Sequence, residues 1–550
     1  MITALYYSPE AYSISAEKLM GRNVAGSTFL EALIEFGQLE KLQLFVDRGS
    51  TQKQAIDLKD SLSRLVEIEV ISPLNFYKLE EAGQLFLPGP TIENLCARRS
   101  FIGHSRWSTY GITHTTASQK AMDAIGSLIT GPIQPWDALI CTSPSVKSHV
   151  LEILEAKVSY LRHRFNIKKI PDLNLPVIPL GVDTRRFEAL PNRRKKARSK
   201  LKLTENEVVF CFVGRLSWHA KAHPIPMYLA LAEAAKKTGK KITIVECGWY
   251  ANTQTKDAFE QTQKTFRSDI RFLHVDGRET DAVNDVYAAS DIFISLSDNI
   301  QETFGITPIE AMAAGLPVVV SDWDGYRHSV RDGVDGFLIQ TFVPAQTSSQ
   351  DLIYRYEMNL DTYDYYCGHT SMTNIVDVGQ LISRIIQLVE SKELRKKMGK
   401  SGKMIACERF DWSVIIRKYF DLWEMLDEIR AANQDPILTK PTIWPERLDP
   451  MIAFKEYPTK KLKVNDLLKT GAAYSSMLEQ IMRDHMVDYA KQVICSPERA
   501  RTALEKLKKD TFTVGELAAL VAPDNLELGM RFVGNLVKFD VVRLLNGTSK

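Results

Sequence analysis

The sequence has no run of about 18 apolar residues, so no segment reads as a membrane-spanning helix. It has little net charge. The 70 Lys and Arg against 67 Asp and Glu leave +3, too small a surplus to point to nucleic acid as a partner. It is poor in cysteine. The seven are scattered, odd in number and without paired spacing, and Cys141, Cys211 and Cys247 sit inside strand-like runs. That excludes a disulfide framework and argues for reduced, buried thiols in a cytosolic protein. No Cys/His cluster has the spacing of metal ligands, so no metal is expected. The N-terminus lacks a basic segment followed by an apolar core, and Ile2 to Tyr7 reads as a first buried strand and not as a signal peptide.

What is present is ordinary globular material. The chain is 45% hydrophobic and 25% charged, and its 550 residues suffice for about three or four domain-sized units. Strand-like and helix-like runs alternate over the first ~430 residues, and the pattern runs twice. This predicts an α/β fold with two Rossmann-like, doubly wound domains facing a cleft, at residues 1–190 and 191–410. A proline-rich stretch, 433–458, reads as a linker. Residues 459–550 read as a small, mainly α, winged-helix-like domain: a Thr513-x-x-Glu516 capping box starts one helix, a second covers about 526–539, and a strand covers 541–545. The second helix offers only Arg531 and Lys538 as cations. Its apolar stripe of Leu528, Phe532, Val533 and Val537 favours packing or a homodimer over DNA reading.

The most informative stretch is Asn299 to Asp322. Glu302 and Glu310 stand eight positions apart and bracket Phe304-Gly305-Ile306. Thr307 suits an N-cap and Pro308 a first helical residue. Gly315 and Pro317 end the helix, and Val318 to Val320 is β-branched strand. A glycine-containing loop thus feeds a helix N-terminus, which favours an anion such as a diphosphate. The N–H groups of Phe304, Gly305 and Ile306 are candidates for sugar or phosphate, and the carboxylates can accept from sugar hydroxyls. The competing reading makes Thr307-x-x-Glu310 a capping box and Glu302 a solvated acid.

Other candidates lie at predicted strand ends. Arg215 and Lys221 follow the strand 208–213, where two cations suit a diphosphate. Gly248 ends the next strand and leaves room for a ligand. His114 follows an apolar, β-branched run, at an end where open α/β sheets bind ligands. His104 and Arg106 are weaker, acceptor-side candidates. Gly21 to Gly26 reads as a loop leading into a helix from Ser27. The basic stretch 192–202 is expected as a solvated helix, with RNA or anionic lipid as the lesser reading. Asp322 and Asp324 have a spacing common by chance and are assigned no metal. Residues 341–373, rich in Tyr and Asp, read as an insertion, an acceptor-side or packing loop.

The segment Glu302-x-Phe304-Gly305-Ile306-x-x-x-Glu310 resembles the Glu-x7-Glu signature of retaining GT-B glycosyltransferases, in particular glycosyltransferase family 4. Gly214-Arg215 with Lys221, His114, Pro179 to Asp183 with Phe187, and Asp411-Trp412 resemble further parts of that pattern, over residues 1–432. Ala25-Gly26 stands where the family has a glycine pair, and Leu180 where it has asparagine. The resemblance implies a GT-B fold, with a helix at 411–432 crossing back to the first domain. It implies a UDP- or GDP-sugar as donor, no tightly bound cofactor, and a glycan or lipid-linked acceptor, in the cytoplasm with peripheral contact at the inner face of the membrane. Arg215 and Lys221 would hold the pyrophosphate, Glu310 the ribose, Glu302 and His114 the transferred sugar, Arg278 the base and Gly26 the donor's approach. Two alternatives stay open: a silent scaffold of this fold acting through its C-terminal domain, and a metabolic enzyme acting on a soluble sugar.

Overall fold

The computed structural model describes residues 1–12, 21–47, 49–62, 65–345, 347–433, 435–474 and 477–545. Two compact units are present, residues 1–444 and 445–550. Six strands form the first sheet: β1 (Ile2–Tyr6), β2 (Lys41–Phe45), β3 (Glu67–Ile71), β4 (Gln84–Leu87), β5 (Ser108–Ile112) and β6 (Ala138–Ile140). Six more form the second: β7 (Val208–Val213), β8 (Ile242–Gly248), β9 (Arg271–Asp276), β10 (Ile292–Ser295), β11 (Val318–Ser321) and β12 (Gly336–Ile339). All pairings within both sheets are parallel. The central strands are buried along their whole length, because helices cover both faces.

The first sheet runs β3-β2-β1-β4-β5-β6 and the second β12-β11-β10-β7-β8-β9. Renumbered from β7, the second order repeats the first, so each sheet reverses winding beside its own first strand. Ligands of open α/β sheets bind in the crevice that such a reversal leaves outside the strands' C-terminal ends.

The chain passes twice between the domains. It goes out through Val182 and returns through Asp411, and these two residues are bridged in parallel. Asp411 caps the helix Trp412–Ala432 and accepts from the Thr184 hydroxyl at 2.6 Å. That helix lies against the first domain. Tyr419 packs on Phe29 and Phe86, and Trp423 on Tyr110. One apolar core continues from Leu5 through Trp412 to Met312 of the second domain.

Several expectations need correction. Residues 21–26 are the start of a helix, Gly21–Phe36, and not a loop. A methyl on Gly26 would meet the Ala11 carbonyl oxygen at 2.0 Å, so this glycine serves close packing on the Pro9–Tyr12 helix, and its low helix propensity is overridden. The stretch expected as a linker docks in its first part: Ser105 N–H donates to Leu438 O at 3.1 Å and Thr442 N–H to Ser100 O at 2.7 Å. The basic helix Leu190–Lys200 is not simply solvated. Arg194 pairs with Asp291 at 2.7 Å, Lys200 with Asp285 at 2.7 Å, and Arg193 with Asp285 at 2.5 Å. Those pairs engage Arg193, Arg194 and Lys200, whereas Lys195 and Lys196 stay exposed to solvent.

The second unit has its own core. Thr513 and Glu516 form both bonds of the capping box at the helix Val514–Val521. The helix Leu526–Lys538 follows. A small antiparallel sheet places Leu467–Thr470 between Phe512–Thr513 and Val542–Leu544. Phe532, Val533 and Leu536 are buried inside the unit, so the stripe named for dimerisation is largely consumed by its own core. The seven cysteines are free, and only Cys407 is exposed. No helix among the described residues is long and apolar enough to cross a membrane.

Candidate functional site

The floor of the site is backbone. Gly214, Gly248 and Gly277 stand at the C-terminal ends of the adjacent strands β7, β8 and β9. A methyl on Gly248 would meet the Gly214 carbonyl oxygen at 1.9 Å, and one on Gly277 would meet Gly248 Cα at 2.9 Å. Gly248 therefore answers to its neighbouring strand as well as to any ligand above it. Arg278 follows β9, is exposed, and lies against Asp276, with Nε 3.0 Å from Oδ1.

β10 leads into the loop 296–305 and the helix Ile306–Ala313. Gly305, and not Thr307, is its N-cap, with φ +83°. Only glycine fits there, because a side chain would face both the strained backbone and the Tyr326 ring, 1.9 Å from its Cβ. Thr307 thus falls in the first turn, and the capping box of the competing reading does not form. The first-turn N–H groups of Ile306 and Thr307 have no acceptor within the helix and carry its positive end.

Neither carboxylate of the Glu-x7-Glu segment has a helix-capping task. Glu302 pairs with Lys221 Nζ at 3.2 Å, its side chain 13% exposed. Arg215 lies beside them, 3.5 Å from the Gln301 side-chain oxygen. Glu310 faces Arg186 at 3.4 Å and accepts from the Tyr287 hydroxyl at 3.0 Å. Burial raises the Glu310 carboxyl above its usual range, against the pull of Arg186 and Tyr287. Arg186 is itself steadied by Asn284 at 3.0 Å. Arg186 and Tyr287 were not named from the sequence. The proximity of Arg186 to the segment ending at Phe187 was the available signal.

The first domain meets this loop directly. Thr303 Oγ1 donates to the His114 carbonyl at 3.1 Å, which sets the segment after β5 beside Glu302. Thr142, just after β6, donates to the Thr303 carbonyl at 3.3 Å. Ser143 donates to Asp324 Oδ1 at 3.1 Å. Burial, and then the Glu302 charge, push the Asp324 carboxyl up to about 7. Asp322 turns elsewhere, to Arg327 at 2.7 Å. His104 and Arg106 precede β5 and so lie at the opposite strand end from His114. The His104 carbonyl accepts from the Trp136 indole at 3.2 Å, and Arg106 pairs with Glu80 at 2.9 Å. Neither therefore serves on the acceptor side.

The Tyr-rich insertion is ordered. Thr341–Phe342 pairs with Ile375–Val376, and between them run the helices Gln350–Glu357 and Tyr363–Ser371. Two of its tyrosines reach the first domain. The Tyr363 hydroxyl stands 3.2 Å from Thr115 Oγ1, and the Tyr356 hydroxyl accepts from Gln119 N–H at 3.2 Å. Tyr356 and Tyr366 stack at 4.5 Å. Gly368 lies against His219 of the loop carrying Arg215 and Lys221, where a methyl would meet the His219 Cβ at 2.8 Å. The insertion therefore spans the cleft beside His114, which composition hinted at and periodicity could not show.

Residues 193–358 match the family described as Glycosyl transferases group 1. Over 168 residues the chain is 29% identical to the D-inositol 3-phosphate glycosyltransferase of Rhodococcus erythropolis, which is 30% of this chain and 37% of that one. The match therefore spans little more than a third of that relative's length. Over 306 residues it is 24% identical to an uncharacterized glycosyltransferase of Methanocaldococcus jannaschii, covering 55% of this chain and 61% of the other. Among solved structures, Anabaena Alr3699/HepE in complex with UDP superposes with a TM-score of 0.50 at 17% identity, over 77% of this chain and 99% of that one. With two parallel six-stranded sheets facing one cleft, the architecture is GT-B.

Proposed function

We propose that this chain is a retaining, metal-independent glycosyltransferase of the nucleotide-sugar type. The single observation that carries the reading is the meeting of Glu302, Lys221 and Arg215 beside the glycine-capped helix N-terminus, against the His114 segment of the facing domain. The group 1 match over 193–358 covers the half of the cleft that holds these cations and carboxylates.

The donor is a nucleoside diphosphate sugar, seated on the glycine floor. Glu310 holds the ribose, and Arg215, Lys221 and the N–H groups of Phe304 to Thr307 hold the diphosphate. Glu302 and His114 hold the transferred sugar. The bond from the anomeric carbon to the diphosphate oxygen breaks, and the acceptor hydroxyl oxygen forms the new bond on the same face. The acceptor's proton passes to a departing phosphate oxygen, so no carboxylate is needed as nucleophile. The expensive part of this step is charge growing on the leaving diphosphate. Fixed cations and amide donors stabilise such charge most effectively because they need no reorganisation.

The acceptor is a hydroxyl of a cell-surface glycan or lipid-linked saccharide, which rests on the family resemblance. Peripheral contact with the inner face of a membrane goes with that acceptor. Flotation with anionic liposomes tests it, and protein that stays at the bottom of the gradient removes it. A homodimer through the C-terminal unit would have to use a surface other than the largely buried 528–537 stripe.

The donor is tested by thermal shift of the purified chain against UDP, GDP, ADP and TDP and their common sugars. A ligand selective for the folded state raises Tm by mass action. A rise with one base identifies the donor. No rise with any nucleotide at millimolar concentration overturns the assignment and returns weight to the silent scaffold.

A further inference from the structure

A second cavity, of about 290 Å3, lies at the hinge and not over the glycine floor. That volume is at the small end of ligand pockets, which run from about 300 to 1,000 Å3. Its walls come from five parts of the fold. Thr142 and Ser143 belong to the end of β6, and His328 to the segment after β11. Val177 and Pro179 belong to the outward crossing, and Arg409 and Lys418 to the return. Phe304, two residues from Glu302, closes the side toward the nucleotide site and touches Phe410 with ring centroids 6.1 Å apart.

The charge in this cavity is unbalanced. Arg409 and Lys418 have no carboxylate partner among the described residues. The nearby carboxyl groups are committed elsewhere. Asp324 is bonded to Ser143, and Asp411 to Thr184 and Ser413. Burial, and then the Arg409 charge, hold the half-buried Lys418 ammonium below its usual range. His328 is bonded to Ser145 at 2.8 Å, and burial and Arg327 lower its basicity. Two cations that raise each other's energy beside hydroxyl groups, in a space larger than one water, fit a compact dianion.

We propose that the hinge cavity bounded by Arg409, Lys418 and the β6 end binds a phosphate group, free or esterified to a small metabolite, and thereby pins the two interdomain crossings together. The site is separate from the donor pocket and does not depend on the transferase reading. Phosphate bridges groups of both domains and both crossings, so its occupancy stiffens the bridged Val182–Asp411 pair. Through Phe304 the same occupancy bears on the loop that presents Glu302. Any coupling between the two sites is reciprocal.

The test titrates the full chain with inorganic phosphate and with glycerol 3-phosphate, by calorimetry and thermal shift. Phosphate also suits the donor's diphosphate position, so the double variant Arg215→Ala/Lys221→Ala, which takes both cations from that position, serves as the background. In that background the phosphate response is expected to persist. Adding Arg409→Ala or Lys418→Met is expected to weaken it at least tenfold. Hydrogen exchange of residues 177–182 and 406–411 is expected to slow with phosphate only while Arg409 is present. An ester bound ten times more tightly than free phosphate identifies a phosphorylated metabolite, and equal affinities identify the free ion. A response abolished in the Arg215→Ala/Lys221→Ala chain while Arg409 and Lys418 are intact, or one that survives Arg409→Ala unchanged, overturns the proposal. So does a chain that answers to neither probe. Arg409 is exposed, so its variant keeps the test decisive if Lys418→Met does not fold.

Discussion

The Tyr363 hydroxyl lies 3.2 Å from Thr115 Oγ1, and the two residues stand in facing domains, 248 positions apart. One neighbour of Thr115 is His114, whose carbonyl is bonded to the loop of Glu302. The insertion at 341–373 therefore reaches the part of the cleft where the His114 segment meets the Glu302 loop.

Tyr363→Phe removes one neutral hydrogen bond, worth about 0.5–1.5 kcal/mol. Under the transferase reading, kcat/KM for the acceptor falls by roughly 2- to 12-fold, that energy expressed as a ratio. The donor nucleotide's Kd stays within about twofold. Equal losses for donor and acceptor would move Tyr363 into donor binding.

Glu310→Ala and Arg215→Ala are expected to separate. Removing Glu310 takes away a charged hydrogen-bond acceptor and weakens nucleotide binding by roughly 10- to 150-fold, about 1.5–3 kcal/mol. Removing Arg215 strips a fixed charge from the leaving diphosphate, so kcat falls by about 100- to 1,000-fold while Kd moves less. Binding isotherms and single-turnover rates measure the two. Wild-type values for both variants would dismiss the site.

Gly305→Ala and Gly315→Ala make a matched pair. Both positions have φ near +80°, but only at Gly305 does a Cβ meet an aromatic ring, Tyr326 at 1.9 Å. Gly315→Ala carries backbone strain alone, of about 1 kcal/mol. Gly305→Ala adds the collision, and is expected to lower Tm further and to abolish nucleotide binding. Similar Tm values for the two variants would show that Tyr326 yields.

Stability should depend on pH through Asp298. Burial pushes its carboxyl up to about 7, against backbone bonds that favour the charged form, and Oδ1 has no partner. A raised folded-state value means that the group's contribution is complete below its unfolded value near 3.8 and is lost as pH rises through about 7. Asp298→Asn keeps the shape without the charge. Calorimetry is expected to show little change in Tm at pH 4 and a gain at pH 8. A gain of the same size at both would mean that Asp298 is charged throughout.

The doubly wound halves were legible because buried parallel strands and covering helices leave separate marks in a sequence, such as VVFCFV at β7 and VVVS at β11. Lys221 and Arg215 were legible for the same reason, because they follow a strand whose end could be located, and Glu302 from its spacing to Glu310 around a glycine-containing loop. Arg186, Tyr287 and Tyr363 were not, because each is brought in by contacts between distant elements. The start of the Ile306 helix was misplaced because Thr307-Pro308 is a strong local signal, and the Tyr326 ring instead selects Gly305 as the cap. Gly26 was misplaced by the opposite error, a weak helix former held in a helix by the backbone it touches.

The glycine floor has a thermodynamic consequence. Gly214, Gly248 and Gly277 present only peptide groups, already fixed in β7, β8 and β9 or directly after them. A surface without rotamers has no side-chain freedom to surrender when something settles on it. Under the proposed donor reading, ordering on binding would fall instead on Arg215, Lys221 and Arg278, whose long side chains carry that freedom. The entropy of binding should therefore respond to shortening those three side chains and hardly at all to changes beneath the floor.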